Sequence, residues 1–309
     1  MGGMSNMFRR SQFVMELPTG LHQENVDELL ERIKWADAIL VGAAAGMSAS
    51  CGYHFFYQND AIFYQYFGEF HRKYGFTGAF NGFYHRYPNA RAHWAFLARL
   101  AYLEYECEAG KPYHDLMELI GNKTYHIMTT NQDFLFTHVA PEEKISAIQG
   151  DFRYYQCSHR CHDAIYYNKK MVYAMNAAID ENLEIPANMI PHCPKCGAEL
   201  EPWVRGYTFL EGKKYRDEYR KINEFLAQHK EEKLLFLELG VGRMTPMFIQ
   251  EPFWNLTYQL PQAYYIAINP KDALLPKELK GKGRAIKEDI ALVLGDAVKD
   301  KDKMEKNPS

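Results

Sequence analysis

Cys157-x3-Cys161 and Cys193-x2-Cys196 form two hairpin-sized cysteine pairs with 31 residues between them. Tetrahedral Zn(II) takes thiolates at about 2.3 Å, and short spacers let two sulfurs of one turn face the same ion. Four thiols close the coordination shell, so the expected ion is structural and offers no open position for chemistry. His159, His162 and His192 interleave with the cysteines and could replace one of them. Four unrelated buried thiols are the plain alternative, and the spacing disfavours it. Cys51 and Cys107 show no such pairing and are expected in the core.

Just upstream, TTNQD at 129–133 and QGD at 149–151 supply Asn131, Asp133 and Gln149. A carboxylate can fix a carboxamide, and amides can fix ribose hydroxyls. Turn chemistry accounts equally well for Asn and Asp at such places, and the residues alone leave both readings open. VGAAAGMSASCG offers Gly42, Ala43, Ala44, Ala45, Gly46 and Ser48. Small residues let a backbone approach a pyrophosphate, and a helix beginning near Met47 would aim free amides at it. The stretch departs from G-x-G-x-x-G, and a tight strand-to-helix turn would also explain it. Gly240, Val241 and Gly242 in LELGVGRMTP make a second glycine-rich strand end.

These residues need a frame. The apolar runs AILVGA, YHIMTT, KISAI, LLFLELG and YYIAIN are each bounded by Gly, Asn, Pro or charge. Helical spacing separates them, as at Val26, Leu29, Leu30 and Ile33, while 213–230 and 285–298 read as surface helices. Alternation of this kind predicts an α/β fold, a doubly wound parallel sheet of Rossmann type. Polar or glycine residues follow the runs at Gly42, Asn131, Gln149, Gly240 and Asn269. Open parallel sheets bind ligands at the carboxyl ends of their strands, so one cleft is expected to collect all five. Two stretches break the rhythm, an aromatic-rich one at 53–96 and the cysteine-bearing one at 151–212. They are expected as an inserted helical module and a zinc-binding module. The dinucleotide domain is then assembled from 21–52, 97–150 and 213–298. Residues 1–20 read as an arm, and the polar stretch 299–309 as a frayed tail.

The 309 residues suffice for one large domain with a smaller module. A net charge of −3 gives no basic field for nucleic acid. No apolar run reaches membrane-spanning length, and the N-terminal segment lacks a secretion signal's apolar core. Six cysteines, four of them clustered, suit a reduced compartment, and a cytoplasmic protein with no membrane partner is expected.

The order of these parts resembles a sirtuin. The turn Ala44–Ser48, the loop Thr129, Asn131, Asp133, the loop at Gln149, the four cysteines, the late glycine-rich strand end and the strand ending in Asn269 recur in that order over roughly 25–298. The resemblance implies NAD as co-substrate and one structural zinc, with Thr130, Gln132 and Asp296 completing the expected cofactor-binding set. Departures matter as well. Sirtuin deacylases carry a catalytic His where this chain has Gln149, and Trp203-Val204-Arg205-Gly206 replaces a stretch that lines their acyl-lysine tunnel. His54-Phe55-Phe56-Tyr57 replaces a charged cofactor loop. The pattern resembles the macrodomain-linked microbial sirtuins. That group implies mono-ADP-ribosylation of a protein, with a lipoylated glycine-cleavage H-like carrier as acceptor and a macrodomain hydrolase as the reversing partner.

Chemistry points the same way. Loss of nicotinamide from NAD needs orientation and electrostatics, which Asn131 and Asp133 could supply. Deacylation then needs a general base, worth typically about 10²–10⁴-fold, and a glutamine amide takes no proton near neutral pH. The expected catalytic residues are Asn131, Asp133 and Gln149, serving ADP-ribose transfer. A lysine deacylase working without the His, and a non-catalytic NAD-binding interaction module, are the alternatives.

Overall fold

The computed structural model of the chain describes residues 15, 16 and 20–306. The N-terminal arm read from the sequence therefore lies largely outside the described residues. In chain order the elements are β1 (Met15–Glu16), α1 (His22–Trp35), β2 (Ala38–Ala43), α2 (Ala45–Ala49), α3 (Ala61–Tyr74), α4 (Ala79–Phe83), α5 (Ala90–Glu106), α6 (Lys111–Ile120), β3 (Thr124–Thr129) and β4 (Ile145–Ala147). They continue with β5 (Gly150–Cys157), β6 (Ile165–Tyr167), α7 (Lys169–Ala177), β7 (Leu200–Val204), α8 (Lys213–His229), β8 (Leu234–Leu239), α9 (Gln250–Gln259), β9 (Ala263–Ile268), β10 (Leu275–Pro276), β11 (Gly283–Ile286) and α10 (Ile290–Lys306).

Six strands form one sheet in the order β11-β9-β8-β2-β3-β4, every neighbouring pair parallel. The short apolar runs make such strands because both of their faces are covered. In β2, Ile39, Val41 and Ala43 enter the core that also takes residues of α1, α6 and α10, while Ala38 and Leu40 enter the one shared with α8 and α9. The α/β expectation holds.

The two interruptions form structure of their own. β5 pairs antiparallel with β6 and β7, and the cysteines lie at or near the ends of this small sheet. The aromatic stretch builds α3 and α4, with Phe67 and Phe70 of α3 and Phe76 after it packed onto Phe96 of α5, and Phe63 packed onto Phe67 and Phe76. Asp60 caps α3 by accepting from the Phe63 amide, and Gly75 ends that helix with φ +80°. The boundary expected at 96/97 falls inside α5, which runs through it unbroken. Trp94 of α5 donates to Glu199 and meets Tyr155 edge-on, so the helix is shared between the aromatic and cysteine-bearing parts.

The expectation of a frayed tail from 299 needs correction, because α10 continues to Lys306. Lys299 pairs with Asp296 and Lys303 with Asp300, one helical turn apart. Lys301 donates to the Glu118 carbonyl, and Gln23 reaches Asp300. Surface pairs contribute little singly, but burial of Ala297 and Val298 anchors the turn they extend. Only 307–309 of that tail lie outside the described residues.

Candidate active site

The strand ends of the large sheet finish level. Ala43 stands opposite Thr129 and Leu239, Thr129 opposite Ala147, Leu239 opposite Ile268, and Ile268 opposite Ile286. Parallel pairing puts all these carboxyl ends on one edge. The next one or two residues of each chain segment, including Ala44, Thr130–Asn131, Ile148–Gln149, Gly240 and Asn269, therefore project onto the same edge. This is where a doubly wound sheet binds its ligand.

Two glycines let the backbones close up there. A Cβ on Gly46 would come within 2.5 Å of the Gly240 Cα, and Gly240 holds φ +70°. The Gly46 amide donates to the Gly240 carbonyl at 3.1 Å. Gly46→Ala is expected to destabilise the fold by about 1–3 kcal/mol, the usual range for overpacking. The check is a thermal melt with and without NAD, in which NAD should stabilise the variant less than it does the parent. Gly242 faces open space, and Asn269 donates to the Val241 carbonyl at 2.9 Å while accepting from the Lys271 and Asp272 amides. Ala45, exposed, opens α2.

Asn131 is buried, and its side-chain amide donates to the Ala44 carbonyl at 3.2 Å and to Ser48 Oγ at 2.9 Å. Both amide hydrogens are thereby engaged, which fixes the direction of its carbonyl oxygen. Ser48 Oγ donates in turn to Asp133 at 2.5 Å and lies 3.0 Å from the Tyr113 hydroxyl. The Asp133 carboxylate also accepts from the Leu135 amide. Burial pushes the Asp133 carboxyl up to about 6, with the Ser48 and Leu135 hydrogen bonds opposing it. Glu104, buried on α5, is raised well above the usual carboxylate range, first by burial and then by Asp133 and Asp151.

Gln149 is 8% exposed, and its side-chain nitrogen is a buried donor without a protein partner. Its carbonyl is held from two sides, by the Arg205 amide at 2.8 Å and the Gln132 side chain at 3.2 Å. Gly150 follows with φ +89°, where a side chain would strike the Trp203 carbonyl. Glycine in Q-G-D is thus what allows β5 to close on β7 beside the glutamine.

The expected residues divide. Ala44, Thr130, Asn131, Gln132, Asp133, Gln149, Gly240, Val241 and Asn269 lie at the strand ends or on the loops leaving them, and Gly46 and Ser48 lie in α2 directly after β2. Gly42 and Ala43 stay inside β2, and a side chain on Gly42 would collide with Ile249 and Phe253, so its smallness serves packing. Asp296 sits within α10, its carboxylate bonded to His22 and Lys299. Helical continuation past Gly295 turns it onto α1. Tyr113 escaped the sequence reading, since a tyrosine in a helix gives no local signal. Arg205 was visible only as part of the altered W-V-R-G stretch, and its Nε is likewise a buried donor without a protein partner.

The four cysteine sulfurs lie within 4.8 Å of one another, with Cys157–Cys196 at 3.5 Å and Cys161–Cys193 at 3.7 Å. A tetrahedron with arms of about 2.3 Å has edges of about 3.8 Å, close to these two separations, so the four thiols are placed to hold a zinc ion. His192 turns to the Ile190 carbonyl instead, and His162 lies 3.0 Å from Cys161 Sγ and 2.6 Å from the Tyr166 hydroxyl.

Comparison with solved structures places this fold among the sirtuins. A Sir2 homologue in complex with NAD shares 15% identity and a TM-score of 0.56, over 90% of this chain and 94% of its own. A Sir2 protein bound to a propionylated peptide gives 14% and 0.57, over 90% and 98%. The class defined by the fold is thus that of the sirtuin-fold proteins. Within it, the chain is 33% identical over 280 residues to a "Protein ADP-ribosyltransferase" of Staphylococcus aureus (strain Mu50 / ATCC 700699), covering 89% of this chain and 88% of the relative. The chain belongs to that protein ADP-ribosyltransferase family. A "Probable bifunctional ADP-ribose hydrolase/ADP-ribosyltransferase" of Fusarium oxysporum f. sp. cubense is 26% identical over 265 residues, and this chain spans 44% of its length. No family model matches the chain.

Proposed function

We propose that the enzyme transfers ADP-ribose from NAD to a protein acceptor and releases nicotinamide. The observation that carries this reading is Gln149, a buried side-chain donor left without a protein partner at the strand edge. Such an amide can hold a ribose hydroxyl but cannot accept its proton. The close backbone approach of Gly46 to Gly240 keeps side chains out from between the two strand ends, and Gly242 opens onto free space, which suits a dinucleotide backbone.

In this reading the bond from the ribose anomeric carbon to nicotinamide breaks, and the electron pair leaves on nicotinamide. The acceptor's lone pair forms the new bond at that carbon, and the acceptor's proton passes to solvent. Asn131, oriented by Ala44 and Ser48, meets a ribose hydroxyl with its carbonyl oxygen. Asp133 holds the carboxamide, and Gln149 orients the ribose. Val241, Gly242 and Asn269 line the rest of the dinucleotide site, and the cysteine set holds one structural zinc.

A lipoylated glycine-cleavage H-like carrier is the acceptor to test first, on the strength of the sirtuin resemblance. The fungal relative's name pairs a hydrolase with a transferase, which supports a reversing macrodomain partner. Among the described residues no helix is long and apolar enough to cross a membrane. Thiols kept free for zinc suit a cytoplasmic site. Intact-mass measurement of the carrier after incubation with NAD decides the matter. One ADP-ribose adduct is expected, lost at least tenfold in rate with Gln149→Ala. Release of nicotinamide only with an acyl-lysine peptide, and no adduct, would establish a deacylase instead.

A further inference from the structure

We infer that Arg153, outside the residues assigned above, is a positioning residue that locks the Asn131–Asp133 loop to the strand carrying Gln149. The inference rests on the proposed roles of those three residues. Arg153 lies within β5, three residues after Gly150, with its side chain 14% exposed. Its guanidinium forks onto buried Asp151, Nε at 2.9 Å and the terminal nitrogen at 2.6 Å from the same oxygen, and Asp151 also accepts from the Arg153 amide at 2.8 Å. The other terminal nitrogen pairs with Glu142, ahead of β4. The guanidinium carbon lies over the Phe134 ring, 5.3 Å from its centre.

Phe134 is the point of leverage. It holds φ +47°, a left-handed conformation that residues with side chains rarely adopt. That turn sends Asp133 back so that one carboxylate oxygen meets the Leu135 amide and the other Ser48. Phe134 is buried, with the Tyr105 ring 5.1 Å from its own and the Arg153 guanidinium over it. The Phe152 amide bonds the Gln132 carbonyl at 3.0 Å, a second tie between the same two segments. Arg153 thus joins three segments, the 131–134 loop, β5 and the turn before β4, through a two-pronged geometry with a cation–π contact that lysine cannot reproduce.

The test is a cycle of Arg153→Lys, Phe134→Gly and the double variant, read by steady-state nicotinamide release. Arg153→Lys is expected to lower kcat about tenfold while KM for NAD changes less than threefold. Glycine takes positive φ freely, so Arg153→Lys in the Phe134→Gly chain is expected to lower kcat less than twofold further. Effects that multiply would overturn the inference, as would an unchanged kcat with only a lower melting temperature. A crystal structure of Arg153→Lys supplies a readout independent of turnover. Displacement of 131–134 or loss of the Asp133–Ser48 bond supports the role, and an unmoved loop refutes it. If the parent releases no nicotinamide with any acceptor, the proposed function fails, and this loop geometry alone decides the inference. Should Arg153→Lys not fold, Glu142→Gln alters an exposed partner only. A two- to threefold fall in kcat is then expected, and an unchanged kcat overturns the role.

Discussion

Asp133→Asn is expected to cripple the enzyme while making it more stable at neutral pH. The carboxylate sits where burial raises its carboxyl to about 6, against an ordinary value of 3.8. A raised carboxyl is more readily protonated in the folded chain than in the unfolded one. The folded state therefore has its full relative stability below about pH 4 and loses stability as pH rises through about 6. Asparagine removes that loss, so the variant should gain on the parent between pH 4 and 6 and keep the gain above. The upper bound is about 3 kcal/mol, from about 1.4 kcal/mol for each pH unit of displacement. Activity moves the other way. Loss of one preorganised electrostatic contact costs about 10²–10³-fold in turnover. In the parent, nicotinamide release should fall as pH drops through about 6 if the ionised form holds the carboxamide. Urea titrations at pH 4.5 and 8, beside a pH–rate profile, check both halves. Equal stability of parent and variant at pH 8 would mean that the buried carboxyl carries no penalty.

The second large effect concerns the metal. Purified protein is expected to hold one zinc per chain by elemental analysis, and Cys193→Ser is expected to lose it. Binding to such a set is worth about 10–16 kcal/mol in zinc-finger peptides, more than the stability of many whole domains. The damage should reach the active site, because Cys157 ends the strand that begins at Gly150, immediately after Gln149. β7, paired to it, carries the Trp203 carbonyl against Gly150 and leads to the Arg205 amide on Gln149. Hydrogen exchange should show 150–204 losing protection in the variant while β2, β8 and β9 keep theirs. Nicotinamide release should fall at least a hundredfold. A zinc-free chain with full turnover and an intact small sheet would show that the cysteines do no structural work.

Much of this was legible in the chain itself. Apolar runs of six or so residues read as strands buried on both faces, and the small or polar residues after them marked the edge where such a sheet binds a ligand. Cysteine spacing specified the metal set because ligand geometry is local to two turns. Asn131, Asp133 and Gln149 were visible for the same reason, as polar residues directly after apolar runs.

Other features depend on which segments meet, and spacing along the chain carries no record of that. Gly42 and Gly46 look alike in the sequence, yet one accommodates Ile249 and Phe253 while the other admits Gly240. Asp296 belongs to a helix whose polar tail seemed too charged to fold until α1 and α6 supplied partners. Tyr113 and Arg153 become part of the site through contacts formed across 65 residues and across three separate segments. Sequence alone determined five of the six strands of the large sheet, the cysteine set with metal-binding spacing and the polar residues at the strand ends, while β11 lies partly in a stretch that read as a surface helix. Tertiary structure decided which glycines are close approaches, which carboxylate is raised by burial and which side chains hold the loop, because those properties arise only from neighbours brought together by folding.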